Sequence, residues 1–143
     1  MYNRRTELIH IPGTMTGQHY LQNVIDPIIL PLRNEIGEHF VFMDDNARPH
    51  RTRAVREVLE NGNVTRLDWP AMSPDMNPIE HVWDYMTRAI FRRNNPPANA
   101  QELVNAAIEE WRNIPQEIIN NLIIGMHRRV AALIRCRGGN TDY

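Results

Sequence analysis

The chain has 143 residues, of which 42% are hydrophobic and 23% charged, a balance typical of a globular domain with a buried core. Its net charge of −1 gives no electrostatic argument for nucleic-acid binding by the chain as a whole, although every basic residue is arginine. The single cysteine excludes an intramolecular disulfide and a cysteine-built zinc site. No apolar run reaches the roughly 18 residues of a membrane span, and no signal peptide is recognisable. We therefore expect one domain over residues 1–143, without a membrane partner.

The first third of the chain predicts a short strand followed by a helix. Residues 7–11 alternate weakly and end at a Pro-Gly pair, a pattern typical of a strand and turn. Apolar residues then recur at helical spacing over residues 16–36, with Thr16 in the N-cap position. Pro27 and Pro31 lie inside this pattern and are expected to kink or break the helix.

The rest of the chain alternates between short strands and helices before it becomes wholly helical. The order of strand, helix, strand, helix, strand and helix indicates an α/β layered domain with a partly parallel sheet. A proline-rich loop is expected over residues 69–77. The predicted strands are 39–43 and 64–67, and the predicted helices are 51–60, 78 to about 93, 100–113 and 115 to about 135.

Asp45 ends the apolar strand and is the first candidate for chemistry. Alternation along the strand places Asp44 on one face of the sheet and Asp45 on the other. A carboxylate at the carboxyl end of a buried parallel strand lies where open α/β sheets bind ligands. The alternative is structural, because an Asp-Asp-Asn sequence also forms an Asx-type turn into the next helix.

Glu80 is the second candidate and follows Asp45 after the 34 residues 46–79. Asn77 is a natural N-cap and Pro78 suits the first helical position, so Glu80 takes the third. This arrangement resembles a capping box, in which the glutamate side chain accepts a hydrogen bond from the N-cap amide. A carboxylate in the first turn of a helix can also bind a metal, and the two roles are compatible.

The two motifs together resemble the signature of mariner/Tc-type DNA transposases, and the resemblance extends over essentially the whole chain. An aspartate and asparagine follow an apolar strand, and a Trp-Pro loop then leads into a helix that carries a glutamate. The matching positions are Asp45, Asn46 and His50 in the first motif and Trp69, Pro70, Ser73, Pro74, Asp75, Asn77, Pro78, Ile79, Glu80 and Trp83 in the second.

The resemblance implies a ribonuclease H-like (retroviral-integrase-like) α/β fold with extra C-terminal helices, which cuts and joins DNA strands. Asp45 would be the second aspartate and Glu80 the glutamate of a catalytic triad that binds Mg²⁺ or Mn²⁺. The implied partner is DNA, at transposon ends and target sites, with no small-molecule substrate. Arg48, His50 and Arg51 are candidate nucleic-acid contacts. A homodimer is compatible with this assignment, and the implied location is the nucleus in a eukaryote and the cytoplasm otherwise.

The chain departs from the family pattern at the first aspartate of the triad. That residue lies on an earlier strand in the family, whereas only Asp26 precedes Asp44 here, within the helical pattern and not on a strand. We therefore expect an N-terminally truncated fold, a single partial catalytic domain, and an incomplete triad. The alternatives are a non-catalytic DNA-binding or protein-interaction module derived from a transposase, or a relic whose incomplete sheet exposes apolar surface.

Overall fold

The computed structural model describes residues 1–70 and 73–139, so Ala71 and Met72 of the predicted proline-rich loop lie outside the described residues. The chain divides into two compact units. The described part of residues 11–72 forms one, here called the sheet unit, and the described part of residues 1–10 and 73–143 forms the other, the helical unit. No helix among the described residues is both long and apolar enough to span a membrane.

The sheet unit opens with a helical run that continues through both prolines. Thr16 caps it, because its hydroxyl oxygen accepts a hydrogen bond from the His19 amide at 3.2 Å, as predicted. The run consists of α1 (Gly17–Tyr20), a π-helical segment (Leu21–Ile29) and α2 (Leu30–Ile36).

Of the expected kink or break at Pro27 and Pro31, the break was wrong, because the run stays helical through both prolines. Pro27 lies within the π-helical segment, where the hydrogen-bonding interval widens by one residue. The Leu30 amide accordingly donates to the Ile25 carbonyl. The wider spacing accommodates proline, which has no N–H to donate. The hydrogen-bonding interval therefore changes locally while the segment stays helical.

The sheet of this unit has two short parallel strands, which confirms the predicted parallel pairing. Val41 pairs with Thr65, and Phe42 with Arg66. Both strands are shorter than predicted, and His39 of the first predicted strand belongs to a 3-10 turn. In chain order the elements are a 3-10 turn (Gly37–His39), β1 (Val41–Phe42), a 3-10 turn (Arg48–Arg51), α3 (Arg53–Asn61) and β2 (Thr65–Arg66).

The core of the sheet unit lies between the helical run and α3. Ile25 and Val55 have no exposed surface, and Leu59 is 1% exposed. Val55 and Leu59 are four residues apart on α3, so both side chains point from the same face of that helix. This packing holds the two strands, and with them the residues that follow β1, against the helical run.

The helical unit is built around α4 and α5, with two further helices after them. The predicted final helix is interrupted at Gly125. The Gly125 amide donates to the Asn121 carbonyl, which closes one helix. The Gly125 carbonyl accepts from the amides of Arg128 and Arg129, which begins the next. Glycine has low helix propensity and suits such a junction. The elements are a 3-10 turn (Pro74–Met76), α4 (Pro78–Phe91), α5 (Ala100–Asn113), α6 (Gln116–Ile124) and α7 (Met126–Arg135).

The strand predicted over residues 7–11 is wrong, because this segment pairs with no strand among the described residues. The Thr6 carbonyl accepts a hydrogen bond from the Trp111 indole N–H at 2.9 Å. The Arg5 guanidinium donates to the carbonyl of Ile114 at 2.6 Å, and Leu8 packs against the apolar core of the helical unit. Contacts with α5 and with the residue after it therefore hold residues 5–8 in place without strand pairing.

The start of α5 offers a test of local stability. The Asn99 side-chain oxygen accepts from the Glu102 amide at 2.9 Å, and the Glu102 carboxylate accepts from the Ala98 amide at 2.8 Å. Asn99→Ala should lower the free energy of unfolding by about 1 kcal/mol, the usual cost of a lost N-cap. Urea denaturation measures this change, with Gln101→Ala, an exposed substitution inside the same helix, as the control expected near zero. Equal effects of the two substitutions would contradict the capping role.

Candidate active site

Asp45 follows β1 and is held by two hydrogen bonds to a single carboxylate oxygen. Its Oδ1 accepts from the Ala47 amide at 2.9 Å and contacts His50 Nδ1 at 2.7 Å. The first contact confirms the Asx-type turn, and the second lies on the same oxygen. The side chain is 57% exposed, and within residues 1–70 and 73–139 Oδ2 accepts no hydrogen bond. The turn therefore orients the carboxylate while leaving one oxygen open to a ligand.

His50 is fixed from three directions within the sheet unit. Its ring stacks on that of Tyr20, with the centroids 4.0 Å apart and the planes tilted by 29°. Its carbonyl accepts from the Arg66 guanidinium at 3.4 Å, and its Nδ1 faces Asp45. Only 18% of its side chain is exposed. The imidazole is thus a constrained neighbour of the carboxylate.

Asp44 faces the interior of the sheet unit, opposite to Asp45, as strand alternation predicts. Both of its oxygens accept from Arg66 Nη2, at 2.8 and 2.7 Å, and its side chain is 4% exposed. Burial raises the pKa of the Tyr20 phenol, and the negative charges of Asp44 and Asp45 raise it further, against the opposing effect of Arg66. Because Asp44 is committed to an internal ion pair, its oxygens are not open to a metal.

Asn46 ties the segment after β1 to the beginning of the proline-rich loop. Its side-chain amide donates to the Trp69 carbonyl at 2.8 Å, and its side-chain oxygen accepts from Arg51. Of the three candidate nucleic-acid contacts, Arg48 is exposed, whereas His50 and Arg51 make contacts inside the sheet unit. The Asp-Asn-x-x-x-His motif therefore has internal roles for Asn46 and His50 as well as for Asp45.

Glu80 lies in the first turn of α4 with its side chain exposed. Asn77 is the N-cap as predicted, because its side-chain oxygen accepts from the Ile79 amide at 3.3 Å. The predicted return bond from Glu80 to the Asn77 amide was wrong, since that amide donates to the Pro74 carbonyl at 2.9 Å. Among the described residues the Glu80 carboxylate accepts no hydrogen bond, so it takes no part in capping α4.

Two residues around Asp45 were missed by the sequence reasoning. The position of Arg66 could have been noticed, since alternation along the predicted strand 64–67 places it on the same inward face as Val64. A charged residue on a buried face is unusual. Nothing in the sequence distinguishes Tyr20, because it matches the pattern of the other apolar residues of the helix. Within residues 1–70 and 73–139, no three His, Cys, Asp or Glu side chains cluster closely enough to hold a metal ion.

A family model for the DDE superfamily endonucleases matches residues 1–104. The chain belongs to the DDE superfamily endonuclease family. Two of its relatives are transposases, and the chain spans less than half the length of each. It is 38% identical over 126 residues to the Tc1 transposase of Caenorhabditis elegans, covering 85% of this chain and 44% of the relative. It is 34% identical over 111 residues to the Tcb2 transposase of Caenorhabditis briggsae, covering 78% and 40%.

Solved structures of a mariner transposase show the same fold. The catalytic domain of the Mos1 mariner transposase matches with a TM-score of 0.76 at 25% identity, over 95% of this chain and 69% of that one. The Mos1 paired-end complex with Mn matches with a TM-score of 0.76 at 24% identity, over 92% and 39%, and shows the fold alone. The predicted ribonuclease H-like α/β fold is thereby confirmed.

Proposed function

We propose that this chain is part of the catalytic domain of a Tc1/mariner-type DNA transposase, which cleaves and joins DNA strands with a divalent metal. The observation that carries the proposal is the Asp45 carboxylate, held through Oδ1 at the end of β1 with Oδ2 open. Support comes from membership of the endonuclease family and from relatives that are transposases.

Asp45 and Glu80 are the proposed metal ligands, and their chemistry fits Mg²⁺ or Mn²⁺. Both are exposed carboxylates, which supply the hard oxygen ligands that these ions prefer. Asp44 is unsuited, because Arg66 occupies both of its oxygens. A divalent metal pair bound at such a site would supply activation of the attacking hydroxyl and stabilisation of the leaving oxygen. This chain's own residues would hold the Asp45 carboxylate in a fixed orientation and present Glu80 from the first turn of α4.

DNA is the proposed substrate, both as transposon end and as target. The solved Mos1 complexes include a paired-end complex with the left transposon end, a statement about Mos1 that we extend to this chain as part of the proposal. Arg48 is the residue proposed to contact a phosphate, because it is exposed directly after the Asp45 turn. Contacts of His50 and Arg51 with DNA would compete with the internal bonds that these side chains make.

The test of the proposal is metal-dependent stabilisation of the chain. Mn²⁺ at about 100 times its dissociation constant should stabilise the folded chain by about 2.7 kcal/mol, since only the folded state binds the ion. Asp45→Asn and Glu80→Gln should each abolish the corresponding rise in melting temperature. Differential scanning calorimetry in Mn²⁺, in Mg²⁺ and in EDTA measures the effect.

Two carboxylates that already pair with an arginine provide matched controls. Asp84 pairs with Arg88 on the exposed side of α4, and Glu57 pairs with Arg53 on α3. Asp84→Asn and Glu57→Gln should leave the metal-dependent rise unchanged. A wild-type chain with no rise in either metal, or a rise that survives both Asp45→Asn and Glu80→Gln, would contradict the proposed ligands.

A further inference from the structure

The contacts around Asp45 distinguish its two oxygens. Oδ1 takes both the Ala47 amide and His50 Nδ1, while Oδ2 is left without a hydrogen bond in the described part of the chain. An ionised carboxylate only accepts, so the proton in the His50 contact belongs to Nδ1. The contact is a charge-assisted hydrogen bond at 2.7 Å, which is short enough to restrain rotation of the carboxylate.

The imidazole can restrain Asp45 only because the sheet unit restrains the imidazole. Tyr20 lies against one ring face, and its own side chain is in the core at 5% exposure. Arg66 holds the His50 carbonyl and at the same time closes the ion pair with Asp44. These contacts tie the ring position to α1 and β2, two elements well separated in sequence from residue 50.

We propose that His50 is a positioning residue for the metal ligand Asp45. It saturates Oδ1, fixes the plane of the carboxylate, and so directs Oδ2 towards a divalent cation. The inference rests on the proposed function, because it gives His50 a purpose only if Asp45 binds a metal. Residues that hydrogen-bond to metal ligands typically change metal affinity by 10–100-fold when they are removed.

A metal-free experiment tests the hydrogen bond itself. NMR of protein labelled with ¹⁵N in histidine reports which ring nitrogen carries the proton in the neutral imidazole. His50 should be protonated at Nδ1, and the exposed His39 of the same unit serves as the reference for an unrestrained ring. A neutral His50 protonated at Nε2 would overturn the assignment, because Nδ1 could then no longer donate to Asp45.

Mn²⁺ affinity, measured as free Mn²⁺ by EPR, tests the positioning role. His50→Ala should weaken binding about 10-fold or more. Two further variants separate donation from packing: His50→Asn keeps an N–H near the Nδ1 position but has no ring, and His50→Phe keeps the ring but has no donor. His50→Asn should recover affinity to within about 3-fold of the wild type, and His50→Phe should bind as weakly as His50→Ala. His39→Asn is the matched control and should have no effect.

The outcomes distinguish this inference from the proposed function. If the wild type binds Mn²⁺ and Asp45→Asn does not, but His50→Ala binds as tightly as the wild type, the positioning role is overturned and the proposed function stands. Recovery by His50→Phe in place of His50→Asn would also overturn it, since packing on Tyr20 would then be the whole role of the ring. If the wild type binds no Mn²⁺, the proposed function fails and the positioning role fails with it.

Discussion

Arg66→Met should lower the free energy of unfolding by about 3–5 kcal/mol, because it leaves the Asp44 carboxylate buried without its main cation. The Asp44 side chain is 4% exposed and that of Arg66 15%. Arg51 lies 4.0 Å from Asp44 and is already engaged by Asn46, so it replaces the lost ion pair poorly. Urea denaturation followed by circular dichroism measures the change.

Two further variants make the Arg66 result specific. Arg53→Met breaks an exposed pair with Glu57, for which about 0.5 kcal/mol or less is expected. The double variant Asp44→Asn with Arg66→Met should recover much of the loss, since it removes the buried charge together with its partner. A loss from Arg66→Met no larger than that from Arg53→Met would show that the buried pair is not what stabilises the sheet unit.

Leu59→Ala should lower the free energy of unfolding by about 2–5 kcal/mol, the range for truncation of a large buried side chain. Leu59 is 1% exposed and belongs to the core between the helical run and α3. The substitution removes apolar contact and leaves a cavity, since the surrounding side chains relax only in part. The same urea denaturation measures it.

Leu67→Ala is the matched control, because Leu67 belongs to the same unit and is 44% exposed. The substitution should cost about 0.5 kcal/mol or less, as surface changes usually do. If Leu59→Ala and Leu67→Ala cost the same, the core of the sheet unit would not lie where the structure has it.

Helices with clear chemical ends were predictable from the sequence. The bounds of α5 agree at both ends with the prediction, because Asn99 supplies an N-cap and Pro115 stands close behind the last turn. Gly125 was missed, since apolar residues at helical spacing continue past it and periodicity does not register a change of helix. The strand at residues 7–11 was wrong for a related reason: alternation cannot reveal that, just before this segment, Thr6 will accept from Trp111 and Arg5 will donate to Ile114.

Only those residues of the candidate site that belong to the two motifs could be proposed from the sequence. Asp45 and Glu80 were identified from two sequence motifs. Alternation along the strand correctly predicted that the Asp44 side chain faces the interior. The surroundings of Asp45 were not predictable, because Tyr20 and Arg66, 25 and 21 positions from Asp45 in the chain, contact its partner His50. Contacts across such intervals depend on packing, which periodicity and local propensity do not contain.

The 3-10 turn over Arg48–Arg51 limits insertions and deletions in the segment from Asp45 to His50. In a 3-10 helix each residue advances by about 120° around the axis. One residue inserted or deleted between Asp45 and His50 would therefore swing the imidazole off both Tyr20 and Oδ1. Substitution of the exposed Arg48 moves neither contact. The two contacts of His50 should thus survive substitution of Arg48 and be lost with every change of length.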